Sequence, residues 1–308
     1  MKSENDKTSP LVSVILPVYE PNTEWLNDTI ESVLNQTYDR IELVIVNDGS
    51  SNRLKHYVDG DKLKRENVRT YYQENQGFTG AANNCIDKSE GKYIAPIGQD
   101  DLWKESKIEK QVDILEKENG DLIFSKVQII DELGEEKHVR GSFPEKRIAK
   151  KLFTKGVYPE FESLVIKRNI LSNLQLNKDY EIASDLKLWM ETFSDFKVLY
   201  IDEKLTKKRI HQNNTSKNHL KTLREVESIY RDHLDNFEFS WVQRRNIFSN
   251  LYRRKGKGLY QDEGKAWKAR KLWLKSLKFY PDPKALMLLL LSFNSAVYEK
   301  ANDIYSKS

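Results

Sequence analysis

The run YIAPIGQDDLW, residues 93–103, stops at two adjacent carboxylates, Asp100 and Asp101, and resumes with a tryptophan. Side-by-side carboxylates at the end of an apolar segment suit a divalent cation held against phosphate oxygens, because hard cations take oxygen ligands and leave positions open for substrate. They also suit a turn in which Asp101 caps the next helix and Asp100 is merely solvated. A second acidic turn, Asn47 to Ser50, follows the apolar run IELVIV. A further carboxylate, Asp185 in SDLKLW, opens a helical pattern, where the helix dipole stabilises its charge.

The elements that must position these groups alternate. VSVIL (Val12 to Leu16) and IELVIV (Ile41 to Val46) are short β-branched apolar runs of the kind covered on both faces of a sheet, and VRTYY (Val68 to Tyr72) and KYIAPI (Lys92 to Ile97) supply two more strands. Helical spacing joins Trp25, Leu26, Ile30, Val33 and Leu34; further helices are predicted over 79–88 and 105–118. This order predicts an α/β fold with a doubly wound, mostly parallel sheet. Ligands of such sheets bind outside the carboxyl ends of the strands, so the turns at Asp48 and Asp100 should open onto one crevice. After Asp121 come a hairpin signal in VQIIDELGEEKHV, a strand in ESLVIKR, a helix at DLKLWMETF and a strand at FKVLYI. Beyond about Thr215 only helical patterns remain. We therefore expect a polar tail over residues 1–10, one α/β domain over 11–216, and a smaller helical region over 217–308.

Composition narrows the class. With 38% hydrophobic and 32% charged residues among 308, the chain reads as globular with a packed core. Cys85 is the only cysteine, which rules out an intramolecular disulfide and fits a reducing compartment. The longest apolar run, Ala285 to Phe293, is too short to cross a bilayer, which needs about 20 residues. Between Leu251 and Tyr280 ten basic residues face only Asp262 and Glu263, although the whole chain carries just +4. The helix predicted over 265–280 sets Ala266, Ala269, Trp273, Leu277 and Tyr280 on one stripe, with Lys268, Lys271, Lys275 and Lys278 roughly opposite. Such a helix either packs by its stripe or lies on an anionic membrane. No nucleic-acid partner is expected. A dinucleotide-binding dehydrogenase is disfavoured, because no GxGxxG follows Leu16.

Taken in order, LPVYE, SVLNQTY, ELVIVNDGSS, ENQGFTGAANN, GKYIAPIGQDDLW, SDLKLW and RIHQNNTS resemble the family 2 glycosyltransferases of the GT-A fold, over roughly residues 11–216. The resemblance implies an inverting, metal-dependent transferase that moves a sugar from a nucleotide sugar, here a UDP-sugar, to a glycan, glycoprotein or lipid-linked acceptor in bacterial surface polysaccharide synthesis. It implies a divalent cation, Mn2+ or Mg2+, and a cytoplasmic location, while the basic helix over 265–280 leaves open a peripheral contact with an anionic membrane at its inner face. Its donor site maps onto Pro17, Tyr19, Glu20, Asp48, Asn75, Gly77, Asn83, Gln99 and Asp100. Metal ligands are expected at Asp100, Asp101 and His211, the general base at Asp185, and acceptor contacts at Ser184 and Trp189. Three departures stand out. Gly98 occupies the first aspartate position of the DxD motif, Ala82 replaces a common arginine, and Ser184 replaces a glutamate. They leave open a catalytically degenerate relative that only binds nucleotide sugars or glycans.

Overall fold

The computed structural model describes residues 9–141, 153, 158–180, 183–211, 219–261, 264–294 and 298. They fall into two compact units: residues 9–141 with 158–211, and the helices from residue 219 onward with Phe153. The boundary expected at Lys217 and the tail over residues 1–8 lie outside the described residues.

The first unit runs β1 (Val12–Val18), α1 (Thr23–Leu34), β2 (Ile41–Asp48), α2 (Gly60–Leu63), β3 (Val68–Gln73), α3 (Gly77–Lys88), β4 (Tyr93–Pro96), β5 (Leu102–Trp103) and α4 (Lys107–Glu118). It continues with β6 (Leu122–Ile130), β7 (Glu136–Arg140), β8 (Val165–Lys167), α5 (Arg168–Leu174), α6 (Ser184–Asp195) and β9 (Val198–Arg209). The sheet order is β3-β2-β1-β4-β8-β6-β9-β5, with β7 paired to β6. β1 to β4 are parallel, as the alternation requires. From β8 onward the sheet is mixed: β8 runs antiparallel to both β4 and β6, and β6 is parallel to β9. The hairpin β6–β7 forms where it was predicted, with Asp131 Oδ1 accepting from Leu133 N and Glu135 N in the turn.

All eight residues of β2 are buried, which explains its unbroken apolar run. The period-two alternation of β1 sends Val14 and Leu16 toward α1 and α4, and Ile15 toward α3, α5 and α6. Cys85 lies in this second layer, and burial pushes its thiol up to about 12.

The second unit holds α7 (His219–His233), α8 (Trp241–Gln261), α9 (Ala266–Phe279) and α10 (Pro283–Leu291). The apolar stripe of α9 packs inside this unit, with Ala269 and Trp273 fully buried beside Leu259 and Leu288. Among the described residues no helix is long and apolar enough to cross a membrane.

Candidate active site

The order β3-β2-β1-β4 places the topological switch point between β1 and β4, and the chain leaves both strands into one crevice. There Tyr19 N donates to Gln99 Oε1 at 2.8 Å while Gln99 Nε2 donates back to Tyr19 O at 3.1 Å, so the two strand ends are tied reciprocally. The Tyr19 side chain is half exposed, and Pro17 sits one register step behind it opposite Val46. Glu20 turns the chain in the left-handed region at φ 40°. Its carboxylate accepts from Ser51 N at 2.6 Å, Ser51 Oγ at 3.0 Å and Tyr57 OH at 3.3 Å, and the Ser51 bonds hold its pKa below the usual carboxylate range. Glu20 therefore clamps the loop after β2 to the loop after β1.

Asp48 is buried. Its Oδ1 accepts both Gln73 Nε2 at 2.7 Å and Gln76 N at 2.8 Å, so it also docks the start of α3. Gly49 lies at φ 75°, and a Cβ there would meet Asn75 N at 2.7 Å; only glycine lets the two turns approach this closely. Asn75 is exposed and its Oδ1 accepts Gly77 N, where φ is again 75°. Asn83 does not join this group. It is buried, with both ends of its carboxamide bonded to the Leu176 backbone at 2.7 and 2.8 Å, which corrects its expected donor contact.

At the end of β4, Asp100 Oδ2 meets His211 Nε2 at 2.6 Å, an oxygen and a nitrogen donor brought together across 111 residues. The His211 ring lies 5.1 Å from that of Trp25, and the Arg209 guanidinium lies 5.0 Å over the same Trp25 ring. Arg209 also donates to the carbonyls of Asp100, Asp131 and Glu132, locking the Asp100 turn to the β6–β7 turn. Asp101 behaves differently from its neighbour. It is buried, accepts Arg209 N at 2.9 Å, and sits where a Gly98 Cβ would come within 2.6 Å of its Oδ2. The Asp101 carboxylate is thus held on Arg209 N, and its Oδ2 occupies the space into which a side chain at position 98 would begin.

Asp185 opens α6, with Leu186 N donating to its Oδ1 at 2.7 Å. Burial pushes it up to about 7; Lys208 opposes that shift, while Glu162 and Glu160 reinforce it. Those three form a cluster absent from the sequence reading. Lys208 Nζ lies 2.7 Å from Glu160 and 3.1 Å from Glu162, and Arg140 binds Glu160 at 2.9 Å. Despite burial, Lys208 and Arg140 hold Glu160 down at about 2, and the surrounding carboxylates, Asp101 among them, hold Lys208 well above its ordinary range. The Glu162 carbonyl accepts from Trp103 Nε1 and Thr206 Oγ1, which fixes the cluster to β5 and β9. Ser184 is buried, with its hydroxyl 3.4 Å from Thr79 Oγ1. Trp189 is fully buried and stacked on Phe193, and its indole N–H has no acceptor among the described residues. It is a core residue, out of reach for the acceptor contact expected of it. Ala82 is likewise core.

Sequence reasoning missed Trp25, Arg209, Glu160, Glu162 and Lys208. Arg209 stands two residues from His211 inside a quoted motif and was within reach. The glutamates and Lys208 carry no local signal; only the antiparallel β8 and the long β9 bring them together.

The family whose model matches the chain is Glycosyl transferase family 2, over residues 13–174. An uncharacterized glycosyltransferase of Rickettsia typhi is 30% identical over 233 residues, covering 72% of this chain and 71% of the relative. A putative teichuronic acid biosynthesis glycosyltransferase of Bacillus subtilis, TuaG, is 26% identical over 72% of this chain and 88% of its own length. Among solved structures, S. aureus TarS 1–349 in complex with UDP-GlcNAc matches with a TM-score of 0.64 at 14% identity, covering 96% of this chain and 92% of that one. The Pyrobaculum calidifontis mannosyltransferase PcManGT, in complex with GDP-Man and Mn2+, matches with a TM-score of 0.59 at 11% identity, covering 98% and 89%.

Proposed function

The chain belongs to glycosyl transferase family 2, and on that premise we propose that it is an inverting transferase moving a sugar from a UDP-sugar to an acceptor hydroxyl in the assembly of a bacterial surface glycan. The observation that carries this reading is the meeting of Asp100 with His211 at 2.6 Å, beside the switch point of the sheet. Such an oxygen–nitrogen pair suits the diphosphate end of a nucleotide sugar, while Asp185, raised to about 7, suits proton removal.

On the donor side, Gln73 and the Gln76 amide orient the Asp48 carboxylate, and an oriented carboxylate is a good acceptor for the imide N–H of uracil. Tyr19, held by Gln99, offers its ring to the base. TarS bound to UDP-GlcNAc supports a uridine donor. TuaG, named for teichuronic acid biosynthesis, supports a polysaccharide acceptor.

Asp100 and His211 fit a divalent cation, Mn2+ or Mg2+, whose remaining positions phosphate oxygens and water can fill. Bound there, such an ion would neutralise charge on the departing diphosphate. The Mn2+ in PcManGT supports that assignment. Asp185 takes the proton of the acceptor hydroxyl as that oxygen bonds to the anomeric carbon; the bond from that carbon to the phosphate oxygen breaks on the opposite face, and the configuration inverts. A carboxylate near 7 is a stronger base than an ordinary aspartate and is still substantially ionised at neutral pH.

The test is a transfer assay over a panel of UDP-sugars with Mn2+, with the anomeric configuration of the product read by NMR. Inverted product from a UDP donor is the expected result. A retained configuration would sink the mechanism, and nucleotide binding without any turnover would point to a degenerate binding relative.

A further inference from the structure

The helical unit carries seven of the eleven large apolar side chains that stand exposed among the described residues. On α9 the inward row is Ala269, Trp273 and Ser276. Trp273 donates its indole N–H to Arg253 O on α8 at 3.1 Å, and a Cβ on Gly256 would lie 2.6 Å from that nitrogen, so this face is fully used in packing. A second row faces outward. Trp267, Lys271, Leu274 and Lys278 recur at spacings of four, three and four residues, which places them along one side of the helix. Trp267 and Leu274 are 58% and 55% exposed.

The row extends onto the end of α10. Arg270, one turn from both Trp267 and Leu274, donates to Ser292 O at 2.6 Å and holds its guanidinium 4.2 Å over the Phe293 ring. Phe293 is 70% exposed and Leu290, one turn before it, 63%. Among the described residues of α9 and α10 the charge is predominantly positive. Residues 264–294 hold seven lysines and arginines and a single carboxylate, Asp282, which is buried and paired with Arg253 at 2.7 Å. The ammonium groups of Lys268 and Lys271 lie 5.5 and 4.7 Å over the Trp267 ring; Lys275 leans toward Glu227 at 3.6 Å.

We propose that this face of α9 and α10 docks the protein on an anionic lipid surface, with Trp267, Leu274, Leu290 and Phe293 at the headgroup–acyl boundary and Lys268, Arg270, Lys271 and Lys278 among the lipid phosphates. Aromatic and aliphatic groups interleaved with long cationic side chains match that boundary, where stems and rings sit in the apolar layer while charged tips reach phosphate. A second copy would set this cationic face against an equally cationic one, which is repulsive. A soluble polyanion would use the lysines but gains nothing from Leu274 and Leu290. The inference is independent of the transfer reading, because no residue in it belongs to the candidate active site.

The experiment is co-sedimentation of the full chain with vesicles of phosphatidylglycerol and phosphatidylcholine, beside vesicles of phosphatidylcholine alone. We expect binding to the anionic vesicles only, weakening as salt rises, with a blue shift of tryptophan fluorescence. Lys271→Ala and Lys278→Ala should each lower affinity about five-fold, and Trp267→Ala should weaken binding while leaving its salt dependence intact. Circular dichroism of each variant separates lost binding from lost folding. Absence of binding to anionic vesicles at low ionic strength overturns the proposal. So does equal binding to both vesicle types, or a Trp267→Ala variant that binds as tightly as wild type, which would mark a general polyanion contact. A concentration-dependent dimer abolished by Trp267→Ala would assign the face to a second copy instead.

Discussion

On the side of the sheet edge proposed to hold the donor, Glu20 and Gln99 bond backbone and hydroxyl groups near the solvent, each at ordinary hydrogen-bond distance. On the proposed acceptor side, Glu160, Glu162, Lys208 and Asp185 interact with one another as charges, their side chains largely but not fully covered. The same fold thus holds one wall by many replaceable bonds and the other by a few charges that cannot be separated cheaply. An exposed bond costs little to lose, because water replaces it, whereas removing one member of a withdrawn ion cluster leaves its partners uncompensated. The donor wall should tolerate change and the acceptor wall should not.

The sharpest test removes the charge with a chemical role. Asp185→Asn is expected to lower kcat by about 10²–10⁴-fold while leaving UDP affinity unchanged. Wild-type activity should climb as pH rises through about 7, where Asp185 ionises, and the variant's residual rate should lack that limb. Stability should move the other way. Because the native pKa lies above the unfolded value, the protonated carboxyl favours the folded state below the ordinary carboxylate range, and this contribution is lost as pH rises through about 7. Asp185→Asn should therefore melt above wild type in alkaline buffer and level with it in acid; equal melting at both would mean the carboxyl is not withdrawn from water.

Next in size, Lys208→Met should cost about 2–3 kcal/mol in urea unfolding, less than a fully buried pair because Lys208 is only partly covered. Adding Glu160→Gln and Glu162→Gln should recover much of that loss, and Lys208→Met alone should move the activity limb to higher pH. The adjacent aspartates divide along the same line. Asp100→Ala is expected to remove the Mn2+-dependent part of UDP binding with little loss of stability, while Asp101→Ala keeps that dependence and melts lower; calorimetry with and without Mn2+ separates them. Smallest of all, Glu20→Gln should weaken UDP by only a few-fold, since its partners keep water as an alternative. A Glu20→Gln defect as large as that of Lys208→Met would erase the contrast between the walls.

The same contrast decides what could be read without coordinates. β1, β2 and β4 announce themselves because strands covered on both faces write continuous apolar runs, and the exits of β2 and β4 carry Asp48 and Asp100 within a few residues of the last buried position. The acceptor wall is assembled from β5, the residues before β8, α6 and β9, so no local pattern marks Glu160, Glu162 or Lys208 as neighbours. Trp189 and Asn83 misled for a related reason. A tryptophan or an asparagine on the same helix as a functional residue can point inward, and here both do. On α9 the periodicity found the stripe that packs, but Leu274 had no place in either face until the exposed row with Trp267 was visible.

Gly98 and Asp101 share one small volume, and that makes their mutational histories inseparable. An aspartate introduced at position 98 alone would have to evict the Asp101 carboxylate from its bond to Arg209 N, so the seemingly restorative Gly98→Asp should be harmful by itself. Paired with Asp101→Ser, which vacates the seat, the same change should become tolerable. The two positions are therefore expected to be coupled: in thermal melting, Gly98→Asp alone should fall below the pair with Asp101→Ser, and equal melting would show that the Asp101 carboxylate simply moves aside.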